Sequence, residues 1–172
     1  MGDVSAVAFL VLGSDGSSTL HASSSALSTS ADRTAFLNRR RAFDCIIVGG
    51  QTAANESYRK TPVPLIVVSR THPAVLDQNP QSHWWPIDPA EAVKRARTEF
   101  GSEVCIEGGV KFLVYLLEHG CVDRLELSIT PAMGGENPIN INELLNRFTK
   151  RERQVVEDTI FYSCSEPKLL SK

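Results

Sequence analysis

The chain has few of the side chains that hold metal ions, and they are not clustered. Its four cysteines and four histidines are spread over 172 residues, and no Cys-x-x-Cys or His-x-Glu pair occurs. A structural zinc site, or the zinc site of a nucleobase deaminase, needs clustered Cys and His ligands. We therefore expect no metal site, and we interpret the cysteines as free, buried thiols of a protein in a reducing compartment, the cytoplasm.

Long hydrophobic runs and an excess of one charge are also missing. The N-terminal apolar run covers about eight residues without a basic flank, so we expect neither a signal peptide nor a membrane span. We interpret it as a buried first strand, Val4 to Leu12. The formal net charge of -2 gives no electrostatic reason to expect nucleic acid or an anionic membrane as a partner.

No Ser/His/Asp arrangement for nucleophilic catalysis is evident either. The histidines lie far apart without an obvious acidic partner, and we interpret each as a surface or loop residue: His21, His72, His83 and His119. With 42% apolar and 22% charged residues, the composition is that of a globular protein. At this length we expect one domain, residues 1–172.

The most informative stretch runs from residue 103 to residue 135 and predicts a strand, a helix and a second strand. The β-prone run Val104 to Ile106 is followed by two glycines, and apolar residues then recur at helical spacing from Val110 to Leu117. Gly120 ends that helix, and polar and apolar residues alternate from Val122 to Ile129. The unit is therefore β-α-β.

The remaining segments continue this alternation. We predict a helix over Arg33 to Phe43 with Asp32 as its N-cap, strands over Asp44 to Val48 and Leu65 to Ser69, a helix from Pro89 to about Phe100, a short amphipathic segment over Ile141 to Phe148, and a strand-like tail over Gln154 to Cys164. Such alternation predicts an α/β fold with a mainly parallel sheet, helices on both faces and antiparallel strands at the C-terminal end. Trp84 and Trp85 indicate a short strand or a packing corner.

Two strands end at paired glycines. One junction holds Gly49, Gly50 and Thr52, and the other holds Gly108 and Gly109. Glycines at a helix start let a phosphate approach free backbone N–H groups closely, but they also serve simply to turn the chain tightly. Thr52 likewise is suited either to donate to a phosphate or to cap the turn.

Three segments together resemble the pyrimidine reductase family of riboflavin biosynthesis, the RibD C-terminal domain, which shares the dihydrofolate reductase fold. They are GSDG at 13–16, RRRAFDCIIVGGQTAANESYR at 39–59 and IEGGVKFLVYLLEHGCVDRLELSITPAMGG at 106–135. The resemblance implies a three-layer α/β/α domain, NADPH as cofactor, hydride transfer to a small heterocyclic or ribose-bearing substrate, and a homodimer. No deaminase segment is evident, so we expect the stand-alone form.

The resemblance also implies the roles of particular residues. The cofactor-binding positions are Gly49, Thr52, Ser69, Arg70, Gly108, Gly109, Val110 and Lys111, with Arg70 at the adenosine 2′-phosphate. The substrate-binding positions are Thr29, Arg40 (or Arg41), Glu56 and Arg59. Asp15 and Glu107 are the candidate catalytic carboxylates.

The residues themselves leave other interpretations open. Asp15 is also typical of an Asp-Gly turn, Glu107 of a carboxylate that only holds its loop, and Arg70 of a surface position. The arginines near residue 40 suit a solvated helix end as well as an anion site. The Ser/Thr-rich stretch from Gly13 to Ser30 is too long for a hairpin turn, and is either disordered or functional.

Several positions depart from the family pattern. The chain has Asn55, Glu56 and Ser57 where riboflavin-pathway members carry Asp-Asp-Pro, Ser17 where a basic residue is usual, and Arg124 where an acid is common. Two alternatives to the pyrimidine reductase therefore stand: a non-catalytic, dimeric nucleotide-binding module, and a dihydrofolate reductase-like enzyme acting on another substrate.

Overall fold

A computed structural model describes residues 5–168. The strands are β1 (Ser5–Gly13), β2 (Cys45–Gly49), β3 (Leu65–Val68), β4 (Ser82–Trp85), β5 (Glu103–Glu107), β6 (Arg124–Thr130), β7 (Phe148–Val156) and β8 (Thr159–Pro167). The helices are α1 (Ser30–Arg40), α2 (Gly50–Asn55), α3 (Pro89–Glu99), α4 (Val110–Glu118) and α5 (Ile141–Leu145), with a 3₁₀ turn at Ala74–Asp77.

All eight strands join one sheet in the order β4-β3-β2-β5-β1-β6-β8-β7. The pairings among β1 to β6 are parallel, whereas β8 runs antiparallel to both β6 and β7. The predicted mainly parallel sheet with antiparallel C-terminal strands is thereby confirmed. Because β2 and β5 are neighbours in this order, the two paired-glycine junctions lie side by side at the carboxyl edge of the sheet.

Strands β2 and β3 carry no charged or polar side chain, as is typical of parallel strands whose two faces are both covered. On one face, side chains of α3, α4 and α5 pack on residues such as Ile47 and Ile106. On the other face, Ile46 and Val48 pack with Ala53 of α2 and Val75 of the 3₁₀ turn. This arrangement gives the three layers that the sequence predicted.

Helix α1 begins three residues before the predicted start. Thr29, not Asp32, is the N-cap, and its hydroxyl accepts a hydrogen bond from the Asp32 backbone N–H at 3.2 Å. Threonine and aspartate both cap helices well, and Thr29 is the N-cap because Ser30 and Ala31 also adopt helical geometry. The helix ends at Arg40, so Phe43 is free to pack edge-on against Phe9 at 5.7 Å between ring centroids.

The C-terminal tail is a hairpin and not a single strand-like segment. Strands β7 and β8 are joined at Glu157 and Asp158, and Glu157 adopts a φ of 55°. Neither glycine nor proline marks this turn in the sequence, so the sequence alone predicts one strand-like tail.

Smaller predictions agree closely with the structure. Helix α3 has Asp88 as its N-cap with Pro89 in the first turn, and Trp84 and Trp85 do belong to a short strand. The first strand covers Ser5–Gly13, and Val4 lies outside the described residues. All four cysteines are buried and free. Within residues 5–168, no helix is long and apolar enough to span a membrane.

Candidate active site

A cavity of about 1030 Å³ lies over the carboxyl ends of β2 and β5. Its walls are formed by α1, by the N-terminal residues of α2 and α4, and by residues of the 18–28 segment, which connects β1 to α1. In parallel sheets this edge collects the loops that follow several strands, which makes it the usual place for a ligand. The topology therefore brings together residues that lie far apart in sequence.

One end of the cavity is formed by the two glycine junctions. Gly49 and Gly109 are the N-cap residues of α2 and α4, and no side chain from the described part of the chain caps either helix. The Gly109 N–H donates to Thr52 Oγ1 at 3.0 Å, which fixes the two helix starts against each other. Six of the eight positions predicted to bind a cofactor line the cavity: Gly49, Thr52, Gly108, Gly109, Val110 and Lys111.

A buried ion pair forms another wall. Arg40 donates to Glu107 through Nε at 2.7 Å and through Nη2 at 2.5 Å, and the Tyr58 hydroxyl donates to Glu107 Oε2 at 2.8 Å. All three side chains are at least nine-tenths buried. The Arg40 guanidinium also lies over the rings of Phe36 and Tyr58, at 4.5 and 5.2 Å from the centroids. It is Arg40 and not the exposed Arg41 that faces the cavity.

Charges in this cluster shift the proton affinities of its members. Burial lowers the pKa of Arg40, but the hydrogen bonds and negative charge of Glu107 outweigh it and raise that pKa overall. Burial, and then the Glu107 charge, raise the pKa values of Tyr58 and Cys105 well above their usual ranges. Arg40 is thus charged, and Tyr58 is a neutral hydrogen-bond donor, throughout the physiological pH range.

The stretch between Gly13 and Ser30 connects β1 to α1 along the cavity. Two carboxylates from other elements hold its middle part. Glu56 accepts from the Ser24 N–H at 2.5 Å and from the Ser24 and Ser23 hydroxyls at 2.8 and 3.0 Å. Glu136 accepts from the Thr19 hydroxyl at 2.9 Å and from two backbone N–H groups at 3.2 Å. Both carboxylates line the cavity.

Other predicted site residues lie outside this cavity. The Asp15 carboxylate accepts from the Ser17 N–H and hydroxyl at 3.0 and 2.7 Å and from the Gly134 N–H at 2.7 Å, which is the geometry of a closed turn. The hydroxyls of Thr29 and Thr159 lie 2.6 Å apart at the start of α1. The Ser69 hydroxyl donates to the Thr71 carbonyl oxygen at 2.6 Å. Arg59 and Arg70 are exposed.

Tyr58, Asp32 and Glu126 also line the cavity, although the sequence alone does not assign them to a site. The position of Tyr58 beneath Arg40 depends on the path of the chain after α2, which no local sequence pattern predicts. Asp32 was assigned to the helix cap, but it is buried in the cavity wall beside the Ser28 hydroxyl. The sequence does indicate Glu126, because this acid alternates with apolar residues in β6. In the structure it lies on the side of β6 that faces α1, where Arg39 contacts it at 3.4 Å.

No group of three or more His, Cys, Asp or Glu side chains in the described ranges has the geometry of a metal site. The cleft thus combines a double helix start, a neutralised buried ion pair and a polar wall. These features define an α/β protein with a cavity at the carboxyl edge of its sheet, the edge where parallel sheets usually bind ligands.

Comparison with known proteins identifies the family. Residues 9–159 match the RibD C-terminal domain family, and the chain belongs to that family. Among curated protein sequences, none matches the chain. The match covers the sheet from β1 to the start of β8 and includes every residue of the cleft described above.

Solved structures share the fold at low sequence identity. A pyrimidine reductase-like protein from Corynebacterium diphtheriae is 19% identical with a TM-score of 0.69, over 95% of this chain and 92% of that one. A diaminohydroxyphosphoribosylaminopyrimidine deaminase/5-amino-6-(5-phosphoribosylamino)uracil reductase from Thermotoga maritima is 14% identical with a TM-score of 0.69, over 95% and 56%. Acinetobacter baumannii RibD is 13% identical with a TM-score of 0.69, over 95% and 58%. The dihydrofolate reductase-like fold inferred from the sequence is confirmed, and this chain spans little more than half the length of the last two proteins.

Proposed function

We propose that this protein is an NADPH-dependent reductase that transfers a hydride to a small heterocyclic or ribose-bearing substrate. The proposed activity resembles that of 5-amino-6-(5-phosphoribosylamino)uracil reductase. The observation that carries the proposal is the double helix start, in which the Gly109 N–H meets Thr52 Oγ1 at one end of the cavity. Family membership supports the same assignment.

The residues present fit such a cofactor. Helix α4 has nine residues and begins at Gly109 without a side-chain cap, so its first N–H groups and its dipole are directed at the cleft. A Cβ atom at Gly109 would meet only Thr52 Oγ1, at 3.7 Å, so this side of the glycine is open to a ligand. Lys111 lines the same end and forms no salt bridge with any described residue. Uncapped N–H groups and a free cation favour a pyrophosphate.

The cavity volume is consistent with two ligands. About 1030 Å³ lies at the upper end of the range typical of small-molecule sites. A dinucleotide and a small acceptor together need a site of this size.

In the proposed reaction the cofactor, when bound, supplies a hydride, and the protein supplies position and exclusion of water. The side chain of Glu107 receives hydrogen bonds from Arg40 and Tyr58, so it acts as an orienting carboxylate. The Arg40 charge is neutralised by Glu107, so this wall favours an uncharged acceptor group such as a carbonyl. We propose no contact between Asp15 and the substrate, because the Asp15 carboxylate accepts hydrogen bonds from Ser17 and Gly134.

The preference for NADPH over NADH tests which cationic side chain contacts the 2′-phosphate of the cofactor. If Arg70 contacts the 2′-phosphate from its position after β3, Arg70→Gln lowers the preference for NADPH over NADH about tenfold. If Lys111 carries that contact, Lys111→Gln does so and Arg70→Gln does not. Lys60→Gln is the matched control, because Lys60 is exposed and does not line the cavity.

The central experiment measures binding and turnover separately. NADPH is expected to change its fluorescence on binding and to raise the melting temperature, and absorbance at 340 nm then reports its oxidation with 5-amino-6-(5-phosphoribosylamino)uracil. Gly109→Leu is expected to abolish the binding signal while the folded circular dichroism spectrum remains. An unchanged melting temperature with both NADPH and NADH would refute the reductase.

A non-catalytic nucleotide-binding module is the second candidate. It is favoured by the fixed turn at Asp15 and by Ser17, whose hydroxyl is itself part of that turn. This candidate predicts NADPH binding without oxidation by any pyrimidine tested. Adding dihydrofolate in the same assay examines the remaining alternative, a dihydrofolate reductase-like enzyme with a different substrate.

We propose further that the protein is a cytoplasmic homodimer without nucleic-acid or membrane partners. The four buried free thiols support a reducing compartment, and the net charge of -2 offers no attraction to nucleic acid. Light scattering coupled to size-exclusion chromatography measures the mass, and a monomer at micromolar concentration would contradict the dimer.

A further inference from the structure

The 18–28 segment forms a wall of the cleft but has little apolar anchorage of its own. Of its side chains, Leu27 is the buried hydrophobic one, at 2% exposure. His21 and Ala22 have φ values of 53° and 62°, a left-handed conformation that residues other than glycine rarely adopt. The segment therefore keeps this shape through contacts with other elements, and it relaxes when those contacts are lost.

Glu136 makes three of these contacts, at Thr19, His21 and Ala22. Glu56 makes three more, all at Ser23 and Ser24. Both of its oxygens are used: Oε1 accepts from the N–H and hydroxyl of Ser24, and Oε2 accepts from the Ser23 hydroxyl. Hydrogen bonds to a carboxylate are about twice as strong as those between neutral groups. With both oxygens accepting from the segment, the Glu56 carboxylate is placed to hold this wall.

Glu56 is also connected to the cofactor end. Its backbone N–H donates to the Thr52 carbonyl oxygen at 2.9 Å, and the Thr52 hydroxyl accepts from the Gly109 N–H at 3.0 Å. Three hydrogen bonds, joined by the covalent bonds of Thr52 and of Glu56, thus connect the start of α4 with Ser24. The connection is short, because α2 has only six residues.

We infer that Glu56 is a positioning residue: it holds the 18–28 segment as a wall of the cleft, and it transmits cofactor binding at the α4 start to that wall through Thr52. This inference rests on the proposed function for its cofactor and substrate. Occupation of the α4 start fixes Thr52, Thr52 fixes the end of α2, and the Glu56 carboxylate then holds Ser23 and Ser24 more firmly. The substrate end of the cleft is therefore completed when the cofactor is bound.

Hydrogen–deuterium exchange of peptides covering residues 18–28 tests the inference on the full chain. Without NADPH, Glu56→Ala is expected to raise exchange in the segment about tenfold, because three hydrogen bonds to one carboxylate are lost. Glu56→Gln keeps an acceptor oxygen and is expected to restore most of the protection. The matched control is Glu91→Ala, an exposed acid in the first turn of α3 whose side chain forms no hydrogen bond among the described residues.

The cofactor arm tests the transmission. In the wild-type protein, saturating NADPH is expected to slow exchange of the segment severalfold, and in Glu56→Ala it is expected to have no effect there. The Kd for NADPH should change less than about threefold, whereas the KM for the pyrimidine substrate should rise about tenfold. A change in kcat alone would contradict a role in forming the wall.

The outcomes separate the inference from the proposed function. If the segment in Glu56→Ala exchanges as in the wild type, the holding role is refuted, whatever the cofactor does. If NADPH binds the wild type but leaves the segment unchanged, the transmission is refuted. If NADPH does not bind at all, the proposed function and the transmission both fail, while the comparison without cofactor still decides the holding role.

Discussion

Arg40, the last residue of α1, and Glu107, the last residue of β5, form an ion pair with two parallel hydrogen bonds. Their side chains are 9% and 3% exposed, so the pair carries no net charge within an almost water-free wall. A charge buried in this way is tolerated only while its partner is present. The pair therefore ties the end of α1 to the carboxyl edge of the sheet.

Loss of one member of this pair should be far more harmful than loss of both. Arg40→Met is expected to lower the free energy of unfolding by about 3–5 kcal/mol, because Glu107 is left buried and unpaired. The double variant Arg40→Met/Glu107→Leu should recover much of that loss. Urea denaturation measures both values, and additive losses in the double-mutant cycle would show that the two side chains are not coupled.

An exposed pair provides the control. Arg95 and Glu99 are joined at 2.6 Å, but both side chains are nearly half exposed. Arg95→Met is expected to cost less than about 1 kcal/mol, because solvent screens such pairs. A similar cost for the two arginine variants would contradict the importance of burial.

Tyr58 should contribute through its hydroxyl as well as its ring. Tyr58→Phe removes the 2.8 Å hydrogen bond to Glu107 and is expected to cost about 1.5–3 kcal/mol in unfolding free energy. Tyr162→Phe is the comparison, because that hydroxyl forms no hydrogen bond within the described part of the chain, and its cost should be near zero. Equal effects in thermal or urea denaturation would argue against the hydrogen bond.

The neighbouring Cβ atom of Ser69 leaves no room for a side chain at Gly50. A Cβ atom at Gly50 would lie 2.5 Å from Cβ of Ser69, which is too close for two carbon atoms. Gly50→Ala is expected to destabilise the protein by about 1–3 kcal/mol through overpacking. Ser69→Gly removes the opposing Cβ, so the double variant Gly50→Ala/Ser69→Gly should be more stable than Gly50→Ala alone, as measured by melting temperature. Absence of this rescue would place the strain elsewhere.

The hydrogen bonds of the Asp15 carboxylate are expected to stabilise the protein to an extent that depends on pH. Hydrogen bonds from the Gly134 N–H and then from Ser17 lower the pKa of Asp15 from 3.8 to about 2. Because the folded-state pKa is the lower one, the contribution is fully present above pH 3.8 and is lost as the pH falls through about 2. The urea midpoint of Asp15→Asn should be below that of the wild type at pH 6, and the difference should shrink below pH 4. A difference that is constant with pH would refute the assignment.

The order of strands and helices was predictable from sequence because each element carries its own periodicity. The β-α-β unit around Gly108 is the clearest case: β5, α4 and β6 lie within a few residues of their predicted bounds. Local signals were insufficient where two residues compete for one role, as with Thr29 and Asp32 at the start of α1, or where a turn contains no glycine, as at Glu157.

The end of the cavity with the two glycine junctions was more predictable than the end with the Arg40–Glu107 pair. Its glycines follow strands directly, so sequence position alone places them at the sheet edge. The partners of Glu107 depend instead on where α1 ends and how the chain continues after α2, and those are properties of the tertiary structure. Exposure of Asp15 and burial of Tyr58 were undetermined for the same reason.

The position of β1 between β5 and β6 has a consequence for how the chain folds. Strand β1 pairs on one side from Ser5 with Glu103 and on the other from Val7 with Arg124. Both of its edges stay unpaired until synthesis has passed residue 103, and contacts between residues so distant in sequence slow folding. During translation, β1 is therefore an apolar strand with two open edges until β6 has been made.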